Sequence, residues 1–451
     1  MAPDEILIGH ATELALANFR VSGRSMPIAV VHALARIKAA MATANQRFEA
    51  QTGIDTELAN AIRDAATEVA DGRWDDHFHV DAFQTGSGTS TNMNVNEVVA
   101  SLATRRVTDR TVHPNDHVNA SQSTNDTFPT AIRIAALLNI RDVLLPGLTL
   151  LRDSLAARSV AFAHVVKAGR THLMDASPIT LGQEFGGYYA QIEEAIARLD
   201  ETCLRVAAVP LGGTATGNGL NAPDGVAELA IADLARDMGL PLTPSPNRFA
   251  AQGSQDALVE LSGQLRVAAV AMFKIANDVR LMASGPRAGL AEISLPELQP
   301  GSSIMPGKVN PVLCEVVTQV AAQVIGNDAA IAFAGTQGTL ELNTYMPVIA
   351  VNLLDMIELL GRSASDFATR CVDGIEADAE RCRQLAELSP SISTALNLLI
   401  GYDAATEVVR RALAENRTIR SILVEQGTLD EQQIDEVLNV ETMAAGDMPF
   451  Q

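Results

Sequence analysis

Residues 255–283 read QDALVELSGQLRVAAVAMFKIANDVRLMA, and this stretch decides the fold class. Apolar residues recur three and four positions apart along it, which is the spacing of one face of an α-helix. The stretch is far longer than the average globular helix of roughly 10–14 residues. Helices of this length favour a bundle, in which each one buries an apolar face against its neighbours.

The same periodicity recurs elsewhere in the chain, at 26–50, 129–159, 181–208, 312–333 and 348–370. Pro146 is expected to interrupt the second of these stretches, and the tail at 418–440 predicts two short helices around Gly427. Aromatic residues make up only 4% of the chain, which favours helix packing over a β-sandwich. The predicted fold is therefore mostly α, with long helices at its centre.

The composition excludes several classes of function. The formal net charge of the 451 residues is −21, which argues against binding to nucleic acid or to an anionic membrane. An anionic substrate would need a locally positive pocket within this negative molecule. The first eight residues are too short and polar for a secretory signal, and no uninterrupted apolar run of membrane-spanning length occurs. The cysteines form no C-x-x-C pair, so we expect a cytoplasmic protein without a disulfide framework or a metal site.

Polar, glycine-rich stretches separate the predicted helices and are expected to form loops that carry function. They cover 84–96, 113–126, 169–177, 212–221 and 301–311.

The stretch at 301–311, GSSIMPGKVNP, holds two serine hydroxyls, one ammonium and one carboxamide. Its glycines allow the backbone to curl toward a ligand, and its prolines keep it out of a helix. Lys308 supplies a positive charge, and Asn310 supplies a donor and an acceptor. It is not a phosphate-binding P-loop, because the glycine spacing is wrong and Val309 replaces the Ser/Thr that binds magnesium. The pattern indicates a loop folded over a small anion.

Two titratable residues are candidates for proton transfer. His172 lies in a polar segment, and histidine is the residue type that most often transfers protons in enzymes, although a hydrogen-bonded structural histidine would give the same pattern. Glu315 lies at the expected start of a helix, where it would orient a histidine or simply interact favourably with the helix N-terminus.

Three polar segments leave open alternatives. Ser123, Thr124, Asn125 and Asp126 are equally suited to capping the next helix and to donating hydrogen bonds to a carboxylate. The turn at 87–89 favours exposed N–H groups over a dinucleotide site, because the rest of the Rossmann pattern is missing. His113 has no second metal ligand at helical spacing, which favours a polar turn over a metal site.

Five ordered motifs resemble class II fumarase of the fumarase/aspartase superfamily. They are FQTGSGTSTNMNVNE at 83–97, VHPNDHVNASQSTND at 112–126, GRTHLMDASPITLGQE at 169–184, LGGTATGNGLN at 211–221 and GSSIMPGKVNP at 301–311. The similarity extends from about Asn18 to the C-terminal tail.

The resemblance implies a mostly α subunit of three domains, with boundaries that we place at 1–110, 111–365 and 366–451. The long central helices would form the core of a homotetramer, and each active site would be shared among three subunits. The implied substrate is a small dicarboxylate, and no cofactor is implied.

The resemblance also implies a role for individual residues. Ser302 would remove a proton from C3 of malate, and His172 would act as the acid or activate water through Glu315. The residues that would hold the substrate carboxylates are Ser87, Gly88, Thr89, Ser123, Thr124, Asn125, Thr171, Ser303, Lys308 and Asn310. A second, non-catalytic dicarboxylate site would comprise Arg110, His113, Pro114, Asn115 and Asp116.

Some residues depart from the pattern of this family. Gly307 favours a fumarase, whereas Thr124 resembles aspartate ammonia-lyase, which eliminates ammonia instead of water. Ala11-Thr12-Glu13-Leu14 stands where the family has a Gln-Thr-x-Arg pattern, and Asn218 replaces a usual threonine. A non-catalytic structural homologue is a third interpretation, but the presence of Ser302 and the other predicted catalytic residues argues against it.

Overall fold

The computed structural model describes residues 7–446, and helix dominates them, at about 66% of the chain. The mostly α prediction is confirmed. The α-helices are α1 (His10–Asn18), α2 (Ile28–Gln46), α3 (Glu49–Thr52), α4 (Thr56–Ala70), α5 (Thr89–Thr104), α6 (Thr124–Asn139), α7 (Leu145–Ala161), α8 (Leu181–Val206), α9 (Val226–Met238), α10 (Arg248–Gly253), α11 (Asp256–Met282), α12 (Val312–Gly335), α13 (Met346–Arg370), α14 (Ala379–Leu388), α15 (Asn397–Ile400), α16 (Tyr402–Glu415), α17 (Ile419–Gln426), α18 (Glu431–Val437) and α19 (Val440–Ala445).

Strands in the described residues are short and pair two by two. One hairpin is longer than the rest, and it joins β1 (Val166–Thr171) to β2 (Met174–Thr180) in an antiparallel pair. The remaining strands contribute two residues each: β3 (Ala208–Val209), β4 (Thr243–Pro244), β5 (Ile293–Ser294), β6 (Gly338–Thr339), β7 (Leu342–Asn343) and β8 (Glu376–Ala377). The sequence predicted a loop at 169–177, and this prediction is wrong, because most of that segment belongs to the β1–β2 hairpin.

The long predicted helices are confirmed, with one change at Pro146. The chain does not break there, because α6 continues through a π-helical turn at Ile140–Leu144 into α7. Pro146 has no N–H, and its ring crowds the carbonyl of Asp142, four residues earlier. A wider π turn accommodates that missing donor without ending the helix. In the tail, Gly427 adopts φ +63° and ends α17, as predicted.

The described residues form two compact units, each built from segments that are distant in sequence. Unit 1 comprises residues up to Pro146 together with Ala195–Ala269 and Val320–Arg362. In unit 1, α2 packs against α4, α6 and α9 and buries a largely apolar face. Unit 2 comprises Gly147–Glu194, Val270–Gln319 and the described residues from Ser363 onward. The three-domain division with boundaries near 110 and 365 remains a prediction.

Unit 2 builds an apolar core from its C-terminal helices. Ile392, Leu396, Ile422, Leu423 and Ile434 are buried in this core. The β1–β2 hairpin joins the same unit, since α14 packs against β1 and α19 packs against β2.

Two stretches of helix have the length and hydropathy of a membrane span, Thr124–Ala161 and Val312–Gly335. Core helices of globular proteins also meet this criterion, so the finding is weak evidence for a span. The first stretch carries the buried side chains of Asp126 and Arg133, and Arg133 donates to the carbonyl of Ala208 at 2.8 Å. Buried, partnered charges of this kind indicate that the α6 part of this stretch packs within unit 1.

We expect Gly361→Ala to lower the melting temperature of the protein. A Cβ at Gly361 in α13 would lie 2.7 Å from the carbonyl oxygen of Val143 and 2.8 Å from Cα of Leu144, both in the π turn. Such overpacking destabilises by about 1–3 kcal/mol. Gly187→Ala in α8 is the control: its Cβ meets no atom within 4 Å, so the gain in helix propensity should raise the melting temperature. Equal melting temperatures for both variants in a thermal unfolding scan would contradict this account.

Candidate active site

The turn at 86–89 in unit 1 depends on two glycines. A Cβ at Gly88 would lie 2.4 Å from the ring of Phe128, and one at Gly86 would lie 1.8 Å from the carbonyl oxygen of Thr344. Gly88 also adopts φ +81°, which favours glycine, and directly precedes α5. The hydroxyls of Ser87 and Thr89 lie 2.7 Å apart. The predicted tight turn is confirmed, and it places two hydroxyls at a helix N-terminus, where anions bind favourably.

The segment from Ser123 to Asp126 caps α6. Ser123 and Asp126 form a reciprocal capping box, as one of the two interpretations predicted. The second carboxylate oxygen of Asp126 accepts hydrogen bonds from the backbone N–H of Gly212 (3.0 Å) and of Thr214 (2.9 Å). Asp126 therefore fixes this segment to the 212–214 loop. Burial raises the pKa of its carboxyl group.

Thr124 and Asn125 sit between the two capping residues and make separate contacts. The Thr124 hydroxyl oxygen accepts a hydrogen bond from the side-chain amide of Asn92 at 2.9 Å. Because the oxygen is the acceptor here, its proton is free to be donated to a ligand. Asn125 donates to the carbonyl of Ala215 at 2.8 Å. Capping and ligand binding are thus compatible in this segment, because different residues perform them.

A buried polar network lies behind this segment, and the sequence reasoning missed it. Lys38 of α2 donates to the side-chain oxygens of Asn119 (2.8 Å) and Gln122 (3.0 Å). Burial lowers the pKa of Lys38 to about 7. Asn45, also on α2, donates to the carbonyl of Ala120 at 3.0 Å. A signal was present in the sequence, since Lys38 and Asn45 lie seven residues apart on the apolar face of a predicted helix.

In unit 2, the loop at 301–311 closes on itself. The side-chain amide of Asn310 donates to the carbonyl of Gly301 at 2.7 Å. A Cβ at Gly301 would lie 1.9 Å from the carbonyl oxygen of Lys308, so the two ends approach only because residue 301 is glycine. Gly307 adopts φ +76°, in the left-handed region. The curled, glycine-dependent loop predicted from the sequence is confirmed.

The hydroxyl oxygen of Ser302 is held by this loop. It accepts hydrogen bonds from the backbone N–H of Ile304 at 3.2 Å and of Met305 at 3.1 Å. Two N–H donors aimed at one oxygen stabilise negative charge on it. Ser303 and Lys308 are exposed beside it, and within residues 7–446 no carboxylate pairs with the Lys308 ammonium. The loop therefore presents a polarised hydroxyl and an available positive charge.

His172 lies at the tip of the β1–β2 hairpin. His172 and Leu173 adopt φ +57° and +62°, and the flanking residues Thr171 and Met174 pair directly. Such two-residue turns normally use glycine or asparagine, because other side chains are strained in the left-handed region. The turn places the imidazole at an exposed tip of the hairpin. Strained residues of this kind cluster at functional sites.

A buried cluster of charges lies along the strand that leads to His172. Lys167 contacts Glu184 at 2.6 Å and Glu292 at 3.4 Å, and Arg170 contacts Glu292 at 2.8 Å. Glu292 is fully buried, and each of its carboxylate oxygens faces one cation. Alternating charges in this geometry compensate one another and fix the strand against the 290–294 segment. The sequence reasoning did not identify these residues.

Glu315 is exposed in the first turn of α12, as predicted. Across the described part of the chain, no hydrogen bond or ion pair joins it to His172. Their pairing therefore remains a prediction.

Residues of the predicted second dicarboxylate site lie together at 110–116 in unit 1. Arg110 binds the carboxylates of Asp55 (2.6 Å) and Glu57 (2.5 Å), which satisfy its guanidinium. The hydrogen bond from Arg110 lowers the pKa of Asp55 to about 2. His113 accepts from the backbone N–H of Asp116 at 3.1 Å and begins a π-helical turn over Pro114–Val118, which includes Asn115. A polar turn is thus present at His113, and ligand binding here remains a prediction.

Comparisons with known proteins cover nearly the whole chain. Residues 2–326 match the model of the Lyase family, and residues 392–445 match that of the Fumarase C C-terminus. The chain is 51% identical over 451 residues to a fumarate hydratase class II from Corynebacterium efficiens, covering 99% of this chain and 94% of that protein. A mitochondrial fumarate hydratase from Mus musculus is 47% identical, covering 96% of this chain and 86% of that protein.

Solved structures give the same result. A class II fumarase from Schistosoma mansoni superposes on this chain with a TM-score of 0.94 at 38% sequence identity. The match covers 98% of this chain and 96% of the fumarase chain. A 3-carboxy-cis,cis-muconate lactonizing enzyme from Pseudomonas putida, at 23% identity and a TM-score of 0.72, shares the fold alone. The resemblance inferred from the five motifs is confirmed: the chain belongs to the class II fumarate hydratases of the fumarase/aspartase superfamily.

Proposed function

We propose that this chain catalyses the reversible hydration of fumarate to (S)-malate. One observation carries the proposal: in a chain that matches fumarate hydratases along its length, the Ser302 oxygen accepts two backbone N–H bonds inside a loop that also carries a free ammonium. Residues 2–326 also match the Lyase family, which supports the same class of reaction.

Ser302 is the proposed base that removes the C3 proton of malate. Serine is ordinarily a very weak base, so its oxyanion must be stabilised. The N–H groups of Ile304 and Met305 supply this stabilisation, and the charge of Lys308 adds to it. Loss of the proton creates an aci-carboxylate with extra negative charge. Lys308, Asn310 and the loop N–H groups are donors of the type needed where that charge develops.

His172 is the proposed acid on the opposite face of the substrate, or the group that activates water with help from Glu315. The exposed position of its imidazole at the hairpin tip supports this role, because a general acid must reach the substrate. The substrate carboxylates would be held by the hydroxyls, amides and backbone of Ser87, Gly88, Thr89, Ser123, Thr124, Asn125, Thr171, Ser303, Lys308 and Asn310. The 110–116 segment is the proposed second dicarboxylate site.

The proposed assembly is a homotetramer with active sites shared among three subunits. Support comes from α12, where Ala322, Ile325, Ala329 and Phe333 are exposed at helical spacing with no charged residue among them. On α11, Val267, Val270 and Phe273 are also exposed. Contiguous apolar faces of this kind mark interaction surfaces. We also propose the three-domain division at 110 and 365 and a cytoplasmic location.

Mutation of the proposed base should separate its role from that of its neighbours. We expect Ser302→Ala to lower kcat roughly 10²–10⁴-fold, the usual contribution of a positioned base, and Lys308→Ala to lower it roughly 10²–10³-fold. Met305→Ala is the control, because Met305 contributes its backbone N–H and not its side chain. If Ser302→Ala retained near-full turnover while Lys308→Ala lost it, the base would be another group.

The group that is eliminated can be identified directly. Loss of fumarate absorbance is followed with and without ammonium, and the product is analysed. We expect conversion to malate that does not require ammonium. Conversion to aspartate that requires ammonium would instead indicate an aspartate ammonia-lyase, the alternative favoured by Thr124. No reaction in either condition would favour a non-catalytic homologue.

A charge within the exposed stripe of α12 should disrupt assembly. We expect Ala329→Asp to reduce the mass measured by light scattering below that of a tetramer and to abolish activity, since a buried, unpaired carboxylate is strongly destabilising. Leu413→Asp places the same charge at an exposed apolar residue of α16 and serves as the control. A tetrameric mass for Ala329→Asp would remove this stripe from the interface.

A further inference from the structure

Lys38 is a fully buried lysine with no role in the reaction described so far. Its side chain has 0% exposure, and its ammonium donates to the neutral side-chain oxygens of Asn119 and Gln122. Within residues 7–446 no carboxylate lies at ion-pair distance from it. Burying a cation without an anionic partner is strongly unfavourable, so retention of this charge calls for a functional explanation.

The contacts of Lys38 lead toward the segment that would bind substrate. The Asn119 oxygen that accepts from Lys38 also faces the side-chain amides of Asn92 (3.4 Å) and Asn96 (3.3 Å). The amide of Asn92 donates in turn to the hydroxyl oxygen of Thr124. Asn119 and Asn92 thus connect the Lys38 ammonium to Thr124, whose hydroxyl proton is free to be donated to a ligand.

Asp126 is the charged group whose field acts on Lys38 among the described residues. Its carboxylate already accepts backbone N–H bonds from Ser123, Gly212 and Thr214, and it lies in the first turn of α6. These donors and the helix N-terminus compensate its negative charge. Lys38, by contrast, faces amide oxygens that carry only partial charges. Its positive charge is therefore left to act on the region of Thr124.

We propose that the buried ammonium of Lys38 is a positioning residue that orients Asn119 and Gln122 and supplies the positive charge that attracts a substrate carboxylate to the Ser123–Asn125 segment. This inference rests on the proposed function, because it takes the ligand of that segment to be a dicarboxylate. It also meets the need for a locally positive pocket in a chain of net charge −21.

The proposal predicts a particular dependence on pH. Burial lowers the pKa of Lys38 to about 7, so the ammonium is present at about pH 6 and is largely lost at about pH 8.5. In Lys38→Met the charge is absent at every pH. The KM of the variant, divided by that of the unsubstituted protein, should therefore be large at low pH and approach unity at high pH.

Steady-state kinetics with fumarate at about pH 6 and about pH 8.5 test this. We expect Lys38→Met to raise KM roughly tenfold at the lower pH, the order of magnitude for loss of one charge that acts through the protein at an effective dielectric constant of about 20, with kcat little changed. Asn119→Asp is a second variant, which keeps Lys38 but neutralises it with a carboxylate. The KM of Asn119→Asp, divided by that of the unsubstituted protein, should show the same dependence on pH, and this variant serves as the test if Lys38→Met does not fold.

Asn45→Ala is the matched control. It removes a contact of α2 to the same loop but changes no charge, so any rise in its KM should be equal at the two pH values. A KM ratio for Lys38→Met and Asn119→Asp that is unity at about pH 6, or identical at both pH values, would overturn the proposal. Absence of fumarate turnover in the unsubstituted protein would instead overturn the proposed function.

Discussion

The carboxylate of Asp126 is fully buried, and its hydrogen bonds join segments that are far apart in sequence. One oxygen accepts the N–H of Ser123, and the other accepts the N–H groups of Gly212 and Thr214. A buried carboxylate is tolerated only when such donors replace the water it has lost. The start of α6, the 212–214 loop and the orientation of Thr124 all depend on this arrangement. Removing the carboxylate would leave three N–H groups without this partner, two of which, those of Gly212 and Thr214, are buried.

Unit 2 meets a similar constraint with ion pairs. Glu292 has no exposure, and its oxygens face Lys167 and Arg170 on the strand that carries His172. Breaking one partner of a buried charge cluster is far more destabilising than breaking a surface pair. In both units, therefore, buried charges fix segments that carry predicted site residues. Several of the predicted residues, including His172, Ser303 and Lys308, are themselves exposed. Rigid support with available side chains is the arrangement that substrate positioning requires.

Much of the fold could be predicted from the sequence, because the long helices have strong apolar periodicity and end near glycines or prolines. The π turn before Pro146 could not, since proline predicts a break unless the surrounding packing keeps the helix continuous. The hairpin around His172 was missed because its turn uses His172 and Leu173, where turn rules expect glycine or asparagine. Tertiary contacts, including the Lys167–Glu292 pair, fix the strand that leads to this turn, and such long-range contacts leave no local pattern.

Site residues were predicted from motifs and family resemblance, and these identify the residues that would touch substrate. The residues that support these site residues from the protein interior could not be predicted in this way. Asn92, Asn119 and Lys38 act through contacts with one another, and each appears in the sequence as an ordinary polar residue. Lys38 was recognisable only as a charge on the apolar face of α2. Which polar partner it meets is decided by packing between distant segments.

The self-closure of the 301–311 loop has a consequence for local stability. Its defining contacts, Asn310 to Gly301 and Ser302 to the N–H groups of Ile304 and Met305, join residues within the loop itself. The loop can therefore open without disturbing the helices, whereas the segment bonded to Asp126 can open only with the core around it. Amide hydrogens at 304–305 should exchange with solvent long before those of Gly212 and Thr214. Of these two segments, the 301–311 loop is thus the one that opens at lower free-energy cost, and the segment bonded to Asp126 is the more rigid.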